Sequence, residues 1–570
     1  MTTLRHTFLG GLLMVAGLAQ AQVPATCDQP RDIDRYQLLR RLSLDIRGRV
    51  PSYDELASLD DASKDPIVMA QAWTASDDFR KVMRRYHEDL FWPNVSKVAL
   101  NNTNSQMVQL GTDLPWALAS AARRTFYRGA PDVSTADAGI QCGDFQQTQF
   151  DVAYPGEFRP TGLRTSVVGG KTVLQEGWRW VTPYWDPANP IKVCAFDAQE
   201  TESLTFSSVT RRCNDPLLQT GDASFGGIAN KKNCGCGKNL KFCYGPAPKV
   251  GTPIREALRE QINRKVDEVT TGGKPYTALI QGTTADINSH IAFWKQNLAP
   301  NYNLNQVWSM ADPNETFPSF KAPGATDELW FADGGTWKSY DRKDSTVTTQ
   351  LHAGAVTLPA YLLRFQTNRS RANRYKIDFE CAPFNPPTLA DTTGCKTDGT
   401  DLMKRCTCRY CHATQGLEVL ASHWGQFAEA GSSLMTDTAV FPRVDPTCID
   451  ETPTNRCGRF YATNPNGDNP GSLLPYQYAI ADALHGGIAP AIAAGPGKRA
   501  TEIIADGTFA KCAVKRAFSY LVKRDMRITG ATSDELALQE QLRTEFAANG
   551  YSWPWLVNRI IALPQYRRER

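Results

Sequence analysis

The amino-acid sequence predicts a mainly α-helical protein that is interrupted by a loop-rich, β-containing insertion held by disulfides. Apolar residues recur at the spacing of one helix face near both ends of the chain and again from residue 254. Between residues 130 and 250, short apolar runs are broken by Pro and Gly instead. Five of the 15 cysteines fall between residues 194 and 243, inside that irregular stretch.

Residues 1–21 have the three parts of a secretory signal. Arg5 lies in a short polar start, an apolar run covers 8–18, and Ala-Gln-Ala at 19–21 ends it with a cleavage pattern. The run is too short to cross a bilayer. We expect cleavage near Ala21, a mature chain without a transmembrane segment, and a periplasmic, secreted or cell-surface location. A buried N-terminal helix is the alternative.

The first mature segment is predicted to be helical. Leu38 and Leu42 follow the spacing of an amphipathic helix. Ser52 and Glu55 are placed as a capping box, in which each side chain bonds the other residue's backbone N–H at a helix start. A further helix is predicted from the same apolar spacing of Phe79, Val82, Met83 and Tyr86.

The middle of the chain is predicted to return to helix after the insertion. Thr252 is expected to cap a helix whose first residue is Pro253, with Ile254 on its inner face and Gly272 ending it. A second helix is expected over about 284–297, followed by loops. Beyond these, the pattern indicates partial helix over 352–380, a cysteine-rich stretch over 381–457, and helices at about 509–523, 533–548 and 553–562.

One short motif carries cofactor chemistry. Cys408-Arg409-Tyr410-Cys411-His412 is a C-x-x-C-H sequence, the attachment signature of c-type haem. Two thiols at this spacing can form thioether bonds to the two haem vinyl groups, and the adjacent histidine can bind the iron. With 15 Cys and 7 His in 570 residues, a shuffled chain would contain the motif with a probability of only ~0.005. The sequence predicts one covalent haem c, with His412 as proximal iron ligand.

Two structural alternatives remain for this motif. A redox disulfide of the thioredoxin type would need no following histidine and would lie at a helix start after a strand. A zinc site would want a second pair of ligands, and the chain offers only Cys234 and Cys236 with Cys243, which fit an ordinary disulfide better.

The remaining cysteines are expected to form disulfides, because export leads to an oxidising compartment. Haem attachment leaves thirteen of the 15 cysteines, so one has no intrachain partner. Cys27 and Cys512 are the leading candidates for that one. Cys406 is expected to pair with Cys381 or Cys395. A local disulfide is also expected between Cys448 and Cys457.

The sixth ligand of the iron separates two kinds of chemistry, because a second protein ligand favours electron transfer and an open face allows small ligands to bind. Met435 lies in a loop long enough to wrap the haem, and His485 lies beside two glycines that allow close approach. These are the two leading candidates, and the sequence leaves open whether either binds. Met403 is too near the motif, His423 is expected to be a partly buried helix-face histidine, and Met526 is a further candidate.

Several stretches resemble the planctomycete-type cytochrome c-associated domain families, which are exported bacterial proteins mostly without an assigned function. The resembling residues are the leucine-arginine-rich 38–51, the helical 254–300, 352–362 (His-Ala-Gly-Ala-Val-Thr-Leu-Pro-Ala-Tyr-Leu), 381–387 before the motif, and the tail from 509 to 567. The resemblance implies a single-haem cytochrome-like module. Residues 130–250 have no counterpart in it.

The chain departs from the family just after the motif. The family continues with an Asp-Pro-Leu-Gly-like stretch and a Glu-x-Phe-Asp element, where this chain has Gln-Gly-Leu-Glu at 415–418 and His-Trp-Gly-Gln-Phe at 423–427. We therefore expect an altered haem environment.

The patterns divide the chain into a signal peptide and five domains. They are 30–125, the N-terminal helical domain; 130–250, the cysteine-rich irregular or β insertion; 252–350, a helical domain; 352–460, the c-type cytochrome-like haem domain; and 475–570, the C-terminal helical domain.

The sequence favours an exported electron-transfer protein over an enzyme that turns over a substrate. Its expected partners are redox proteins and the cytochrome c maturation machinery; the net charge of +4 gives no sign of nucleic-acid binding. One alternative is a haem peroxidase or oxidase with an open distal site, whose cleft would use Trp178, Trp180, Tyr184 and Trp185. The other is a non-catalytic envelope assembly protein.

Overall fold

The computed structural model of the chain describes residues 32–96, 98–100, 105–119, 142–168, 170–206, 208–214, 234–299, 316–320, 331, 334–342, 352–384, 410–411, 416–424, 427, 461–463, 473–475 and 488–568. This described part is mainly α-helical with small sheets, as the sequence predicts. The expected signal peptide and Cys27 lie outside it. Within it, no helix is long and apolar enough to cross a membrane.

The first four helices follow the predicted apolar spacing. They are α1 Arg35–Arg47, α2 Tyr53–Ala57, α3 Pro66–Trp73 and α4 Asp77–Phe91. The capping box is confirmed, because Ser52 Oγ accepts from the Glu55 N–H and the Glu55 carboxylate accepts from the Ser52 N–H. Leu42 of α1 and Phe79 of α4 are completely buried, so the predicted faces point into the core.

Small sheets and disulfides follow these helices. The strands are β1 Met107–Gln109, β2 Trp116–Leu118, β3 Arg164–Val168, β4 Lys171–Gln175, β5 Trp178–Val181, β6 Ile191–Cys194, β7 Ser203–Phe206 and β8 Val209–Arg212. One sheet has the order β1-β2-β6-β5, while β3-β4 and β7-β8 are separate antiparallel pairs. The disulfides are Cys142–Cys194, Cys213–Cys234 and Cys236–Cys243. The expected pairing within Cys234, Cys236 and Cys243 is thus confirmed for the last two.

The helical expectation is wrong for residues 107–118, which form β1 and β2. Gly111 and Pro115 stand between the two strands, and a helix would lose a backbone donor at Pro115. Trp116 of β2 pairs in parallel with Val193 of β6. The sheet of the insertion therefore includes residues well before 130.

The long helix of the middle segment is α5, Gly251–Thr270. It begins two residues earlier than predicted and no side chain caps it, so the expected Thr252 cap is wrong. Its inner face is as predicted, with Ile254 and Leu258 completely buried.

The helix expected over 284–297 is correct only in its second half. Strand β9, Thr284–Asn288, pairs antiparallel with β10, Trp337–Asp341, before α6, Ser289–Phe293, begins and continues as a π-helical turn Trp294–Leu298. Ala285 and Ile287 are buried at the alternate positions of a strand. Asn288 then caps α6 by accepting from the Ile291 N–H.

The remaining elements are largely helical. They are α7 Pro359–Arg364, α8 Asn368–Phe379, α9 Leu417–Ser422, β11 Tyr461–Thr463, β12 Leu473–Pro475, α10 Ile488–Ala505, α11 Thr508–Val522, α12 Leu536–Ala548, α13 Trp553–Ile561 and α14 Pro564–Arg567. The three C-terminal helices predicted from periodicity correspond to α11, α12 and α13.

One continuous hydrophobic core joins helices from along the whole chain. Trp553 of α13 donates to Met83 Sδ of α4 at 3.0 Å and stacks on Tyr276, with ring centroids 4.3 Å apart. The two ends of the described chain also meet, because the Ile33 N–H donates to Arg567 O at 2.9 Å. The segments that the sequence divides into separate helical domains thus share a single buried core.

Candidate haem-binding site

Of the three motif residues expected to hold haem, the structure describes Cys411, which is half-buried. Cys408 and His412 lie outside the described residues, and so do the candidate distal ligands Met435 and His485. The thioether bonds and the axial iron ligands therefore stay predictions.

Lys376 of helix α8 is a charged neighbour of Cys411. Burial lowers the pKa of the Lys376 ammonium, and the nearby Glu380 carboxylate and Cys411 sulfur oppose that shift. Arg499 of α10 in turn donates to Glu380 Oε1 at 2.8 Å. Charged residues from α8, its C-terminal end and α10 are thus linked to one another, and Lys376 is the one shown to interact with the motif cysteine.

Two aromatic residues that follow the motif, Trp424 and Phe427, are buried. Trp424 is completely buried, donates from Nε1 to Val356 O at 3.3 Å and meets the Tyr375 ring edge-on with centroids 5.4 Å apart. His423 Nδ1 lies 3.0 Å from Gly495 O, and because a carbonyl only accepts, Nδ1 carries the proton. Burial lowers the pKa of His423, so it is a neutral structural histidine. Met526 is buried in the hydrophobic core.

Among the described residues close to Trp424 and Phe427, two buried polar atoms have no hydrogen-bond partner: the hydroxyl of Tyr375 and Nε2 of His352. The Tyr375 ring contacts Trp424, and the His352 ring centroid lies 6.3 Å from that of Phe427. Buried polar groups are normally satisfied, so these two atoms are exceptions to the usual pattern.

Sequence reasoning missed the environment of His352. The sequence shows this histidine only as the first residue of the stretch 352–362 that resembles the family. Its partner Arg342 lies in a stretch expected to be loop-rich and stands out by neither spacing nor motif. The isolated position of a histidine beside Gly354 is the one signal that could have drawn attention to it.

The disulfide Cys381–Cys512 overturns one expectation and excludes one of the two partners expected for Cys406. It joins the end of α8 to α11 across 131 positions of sequence. Cys512 is therefore not the cysteine left over, and Cys406 does not pair with Cys381. The reason is tertiary, since α8 and α11 pack together and bring Cys512 Sγ to 3.4 Å from Asp378 O. A Cys395–Cys406 pair and the Cys448–Cys457 pair involve cysteines outside the described residues.

The four aromatic residues considered for a substrate cleft do not share one surface. Trp180 is 49% exposed and meets the Trp178 ring edge-on at 5.6 Å. Tyr184 is instead buried, with its ring 4.4 Å from that of Phe293. Across the described ranges, no group of three or more His, Cys, Asp or Glu side chains is placed to hold a metal ion.

No family model, no curated protein and no solved structure matches the chain. The resemblance to the planctomycete-type families therefore rests on the quoted stretches alone and stays a prediction.

Proposed function

We propose that the chain is an exported c-type cytochrome that carries one covalent haem and transfers electrons between periplasmic or cell-surface partners. The observation that carries the proposal is the C-x-x-C-H sequence at 408–412. Cys408 and Cys411 would hold the haem covalently, and His412 would bind its iron. The haem, when bound, supplies one-electron chemistry.

The cysteine pattern of the structure supports this proposal. Eight of the nine described cysteines form four disulfides, which fit an extracellular protein. The ninth is Cys411 of the motif, which belongs to none of these four and is half-buried.

The residues around the motif are suited to a low-reorganisation electron-transfer site. The Trp424 indole is fixed by its bond to Val356 O, and the His423 ring by its bond to Gly495 O. Both side chains are buried, so little water reaches them. Fixed, dry surroundings keep the charge-stabilising groups in place while an electron is gained or lost.

The test is to produce the chain together with cytochrome c maturation machinery and to measure covalent haem. We expect one haem per chain by pyridine haemochrome and sharp α and β bands in the reduced spectrum. Cys408→Ala combined with Cys411→Ala should lose the covalent haem, because both thioether bonds are then removed, and Tyr410→Phe at the neighbouring position should keep it. Absence of covalent haem from the unaltered chain would contradict the proposal.

Spin state separates this function from its rival. A low-spin spectrum that cyanide and peroxide leave unchanged is expected for an electron carrier with two axial protein ligands. A high-spin ferric spectrum with rapid cyanide binding would instead favour a haem peroxidase or oxidase. Met435→Ala and His485→Ala, compared side by side, would show which of the two candidates binds the iron.

A further inference from the structure

A tryptophan ends helix α4 in a backbone conformation that favours glycine. Trp92 has φ 44° and ψ 54°, and its N–H donates to Glu88 O at 2.9 Å. Helix ends of this kind usually carry Gly or Asn, because a larger side chain crowds the left-handed backbone. The indole is also 46% exposed, so packing in the core accounts for only part of the ring. A strained residue that the core does not require points to a use at the surface.

Two arginines flank the Trp92 ring. The guanidinium carbon of Arg374, on α8, lies 4.5 Å from the ring centroid, and that of Arg364, at the end of α7, lies 5.2 Å from it. Both distances fall in the range of cation–π contacts. Arg374 is fixed further, because its Nε donates to Leu90 O and its Nη2 to Asp89 O, both at 2.8 Å. We call Trp92, Arg364 and Arg374 the Trp92 surface.

This surface is positively charged. Arg364 is exposed and contacts no carboxylate in the part of the chain that the structure describes. Arg374 forms an ion pair with the buried carboxylate of Asp378 at 2.7 Å, but Arg516 of α11 shares that carboxylate at 3.2 Å. The exposed Asp89, one turn earlier on α4, carries the opposite charge. Among these described side chains, three guanidinium groups thus face two carboxylates, and Arg364 stays open to a negative partner.

The Trp92 surface lies across one helix from the haem motif. Arg374 and Lys376 are two positions apart on α8, so they point to nearly opposite sides of it. Arg374 contacts the Trp92 ring, and Lys376 interacts with the Cys411 sulfur. A helix with its side chains is about 10–12 Å across. The motif cysteine and the Trp92 surface are therefore separated by little more than α8.

The composition of the surface indicates the kind of partner. Tryptophan and arginine are enriched at the energetic centres of protein–protein interfaces. Positive charge selects a partner with a negative surface and speeds its approach. Complexes for electron transfer are small and transient, so one exposed ring between two cations is enough to form their centre.

We propose that the Trp92 surface is the docking site for an acidic redox protein, with the Trp92 ring as the anchor and Arg364 as the charge that guides the partner. The use of this site for electron transfer rests on the proposed function. The binding of an acidic protein does not.

The first arm of the test measures binding without haem. The probe is an acidic plant-type ferredoxin, immobilised for biolayer interferometry at low ionic strength, and the full chain is produced without haem maturation. We expect binding that weakens as salt is added, and Arg364→Glu and Trp92→Gly should each weaken it by about tenfold. Glycine adopts a φ of 44° without strain, so Trp92→Gly removes the ring and keeps the backbone. Arg40→Glu, at an exposed arginine of α1, is the matched control and should bind as the unaltered chain does.

Two results would overturn the proposal in this arm. The first is equal binding by the Arg364→Glu, Trp92→Gly and Arg40→Glu variants, and the second is no binding by the unaltered chain. Heparin is a further probe. If heparin binds through Trp92 and Arg364 and ferredoxin does not, the surface takes an anionic polysaccharide and the proposed protein partner is wrong.

The second arm uses the haem-loaded chain. One electron passes from reduced ferredoxin to the oxidised chain, and stopped-flow absorbance follows it. Arg364→Glu should lower the second-order rate constant by about tenfold at low salt and by less at high salt, because salt screens the attraction. Reduction by dithionite, a small reagent, should be unchanged. If the haem-free chain does not fold, this arm decides, and equal rates with ferredoxin for Arg364→Glu and Arg40→Glu overturn the proposal.

The two proposals fail in distinguishable ways. A chain that takes up no haem removes the electron-transfer function, yet its binding to ferredoxin still decides whether the docking site exists. A haem-loaded chain that ferredoxin reduces equally fast in all variants keeps the haem function and removes the docking site.

Discussion

The helical core and the disulfide-held sheets are stabilised in different ways. The core buries large side chains from α1 to α14 in one continuous cluster. The main cluster of the sheets has eleven buried members, of which four are the disulfide cysteines Cys213, Cys234, Cys236 and Cys243. Large apolar side chains such as Val152 and Val167 stay exposed in the sheet region. Strands of three to five residues bury little surface, so covalent cross-links take the place of packing there.

The largest expected effect comes from removing a core side chain. Trp553→Ala should destabilise the protein by about 4 kcal/mol, because it deletes a 1%-exposed indole that stacks on Tyr276 and leaves a cavity. The matched change in the sheets, Trp180→Ala, should cost less than about 0.5 kcal/mol because that ring is half-exposed. Urea unfolding measures both, and similar losses would contradict the comparison.

Opening a disulfide should affect the other region. Cys213→Ser with Cys234→Ser should lower the stability of the sheet region by about 3 kcal/mol, because a cross-link closes a loop of 21 positions there. Hydrogen exchange should show faster exchange in β7 and β8 and unchanged protection in α4 and α5. Loss of protection throughout the chain would show that the two regions unfold as one unit.

A buried histidine should make the stability of the core depend on pH. Burial lowers the pKa of His87 to about 4, and its ring is held between Met83 O and the Tyr276 hydroxyl. Below its unfolded pKa of about 6.5, the unfolded chain binds a proton that the folded chain does not. The contribution of His87 to the free energy of unfolding is therefore fully present above that pH. Up to about 3 kcal/mol of it is lost as the pH falls to 4.

The variant His87→Phe isolates this contribution. It should be less stable than the unaltered chain at pH 7, since Tyr276 loses its acceptor, and it should lose less stability between pH 6.5 and 4. Urea unfolding at a series of pH values gives both quantities. Parallel plots of unfolding free energy against pH for the two proteins would show that His87 does not cause the pH dependence. His352 and His423 also influence that dependence.

The smallest expected effect is at a helix start. Ser52→Ala should cost about 1 kcal/mol because the Glu55 N–H loses its cap. Ser58→Ala, at the exit of the same short helix, removes a bond to Glu55 O and serves as the comparison. Equal losses of stability from both variants would mean that the capping box stabilises the helix no more than the single bond at its other end.

Local patterns in the sequence were informative where local interactions decide the structure. The capping box at Ser52, the inner face of α5 and the three C-terminal helices all follow from residues within a few positions of each other. Strand β9 was predicted as helix because its five residues are too few to show a period clearly, and its pairing with β10 spans about fifty positions.

One part of the candidate site can likewise be predicted from the sequence, and another part cannot. The C-x-x-C-H motif is visible because its chemistry needs adjacent residues. The Cys381–Cys512 bond and the surroundings of His352 depend on segments that meet only in the fold, such as Arg342 with Thr283 and Thr357. No spacing rule in a single sequence reveals such contacts.

The contact between the two ends of the described chain has a consequence for the order of folding. Besides the bond from Ile33 to Arg567, the Tyr566 hydroxyl donates to Asp45 of α1 at 2.8 Å, across 521 positions of sequence. Because α14 is synthesised after α1, this contact can form only once α14 has been made. Contacts of such long range close late and slow the search for the native state. Helix α1 is synthesised before the other described helices of this core, yet its packing is completed late. Until then its apolar face can contact other exposed apolar surfaces.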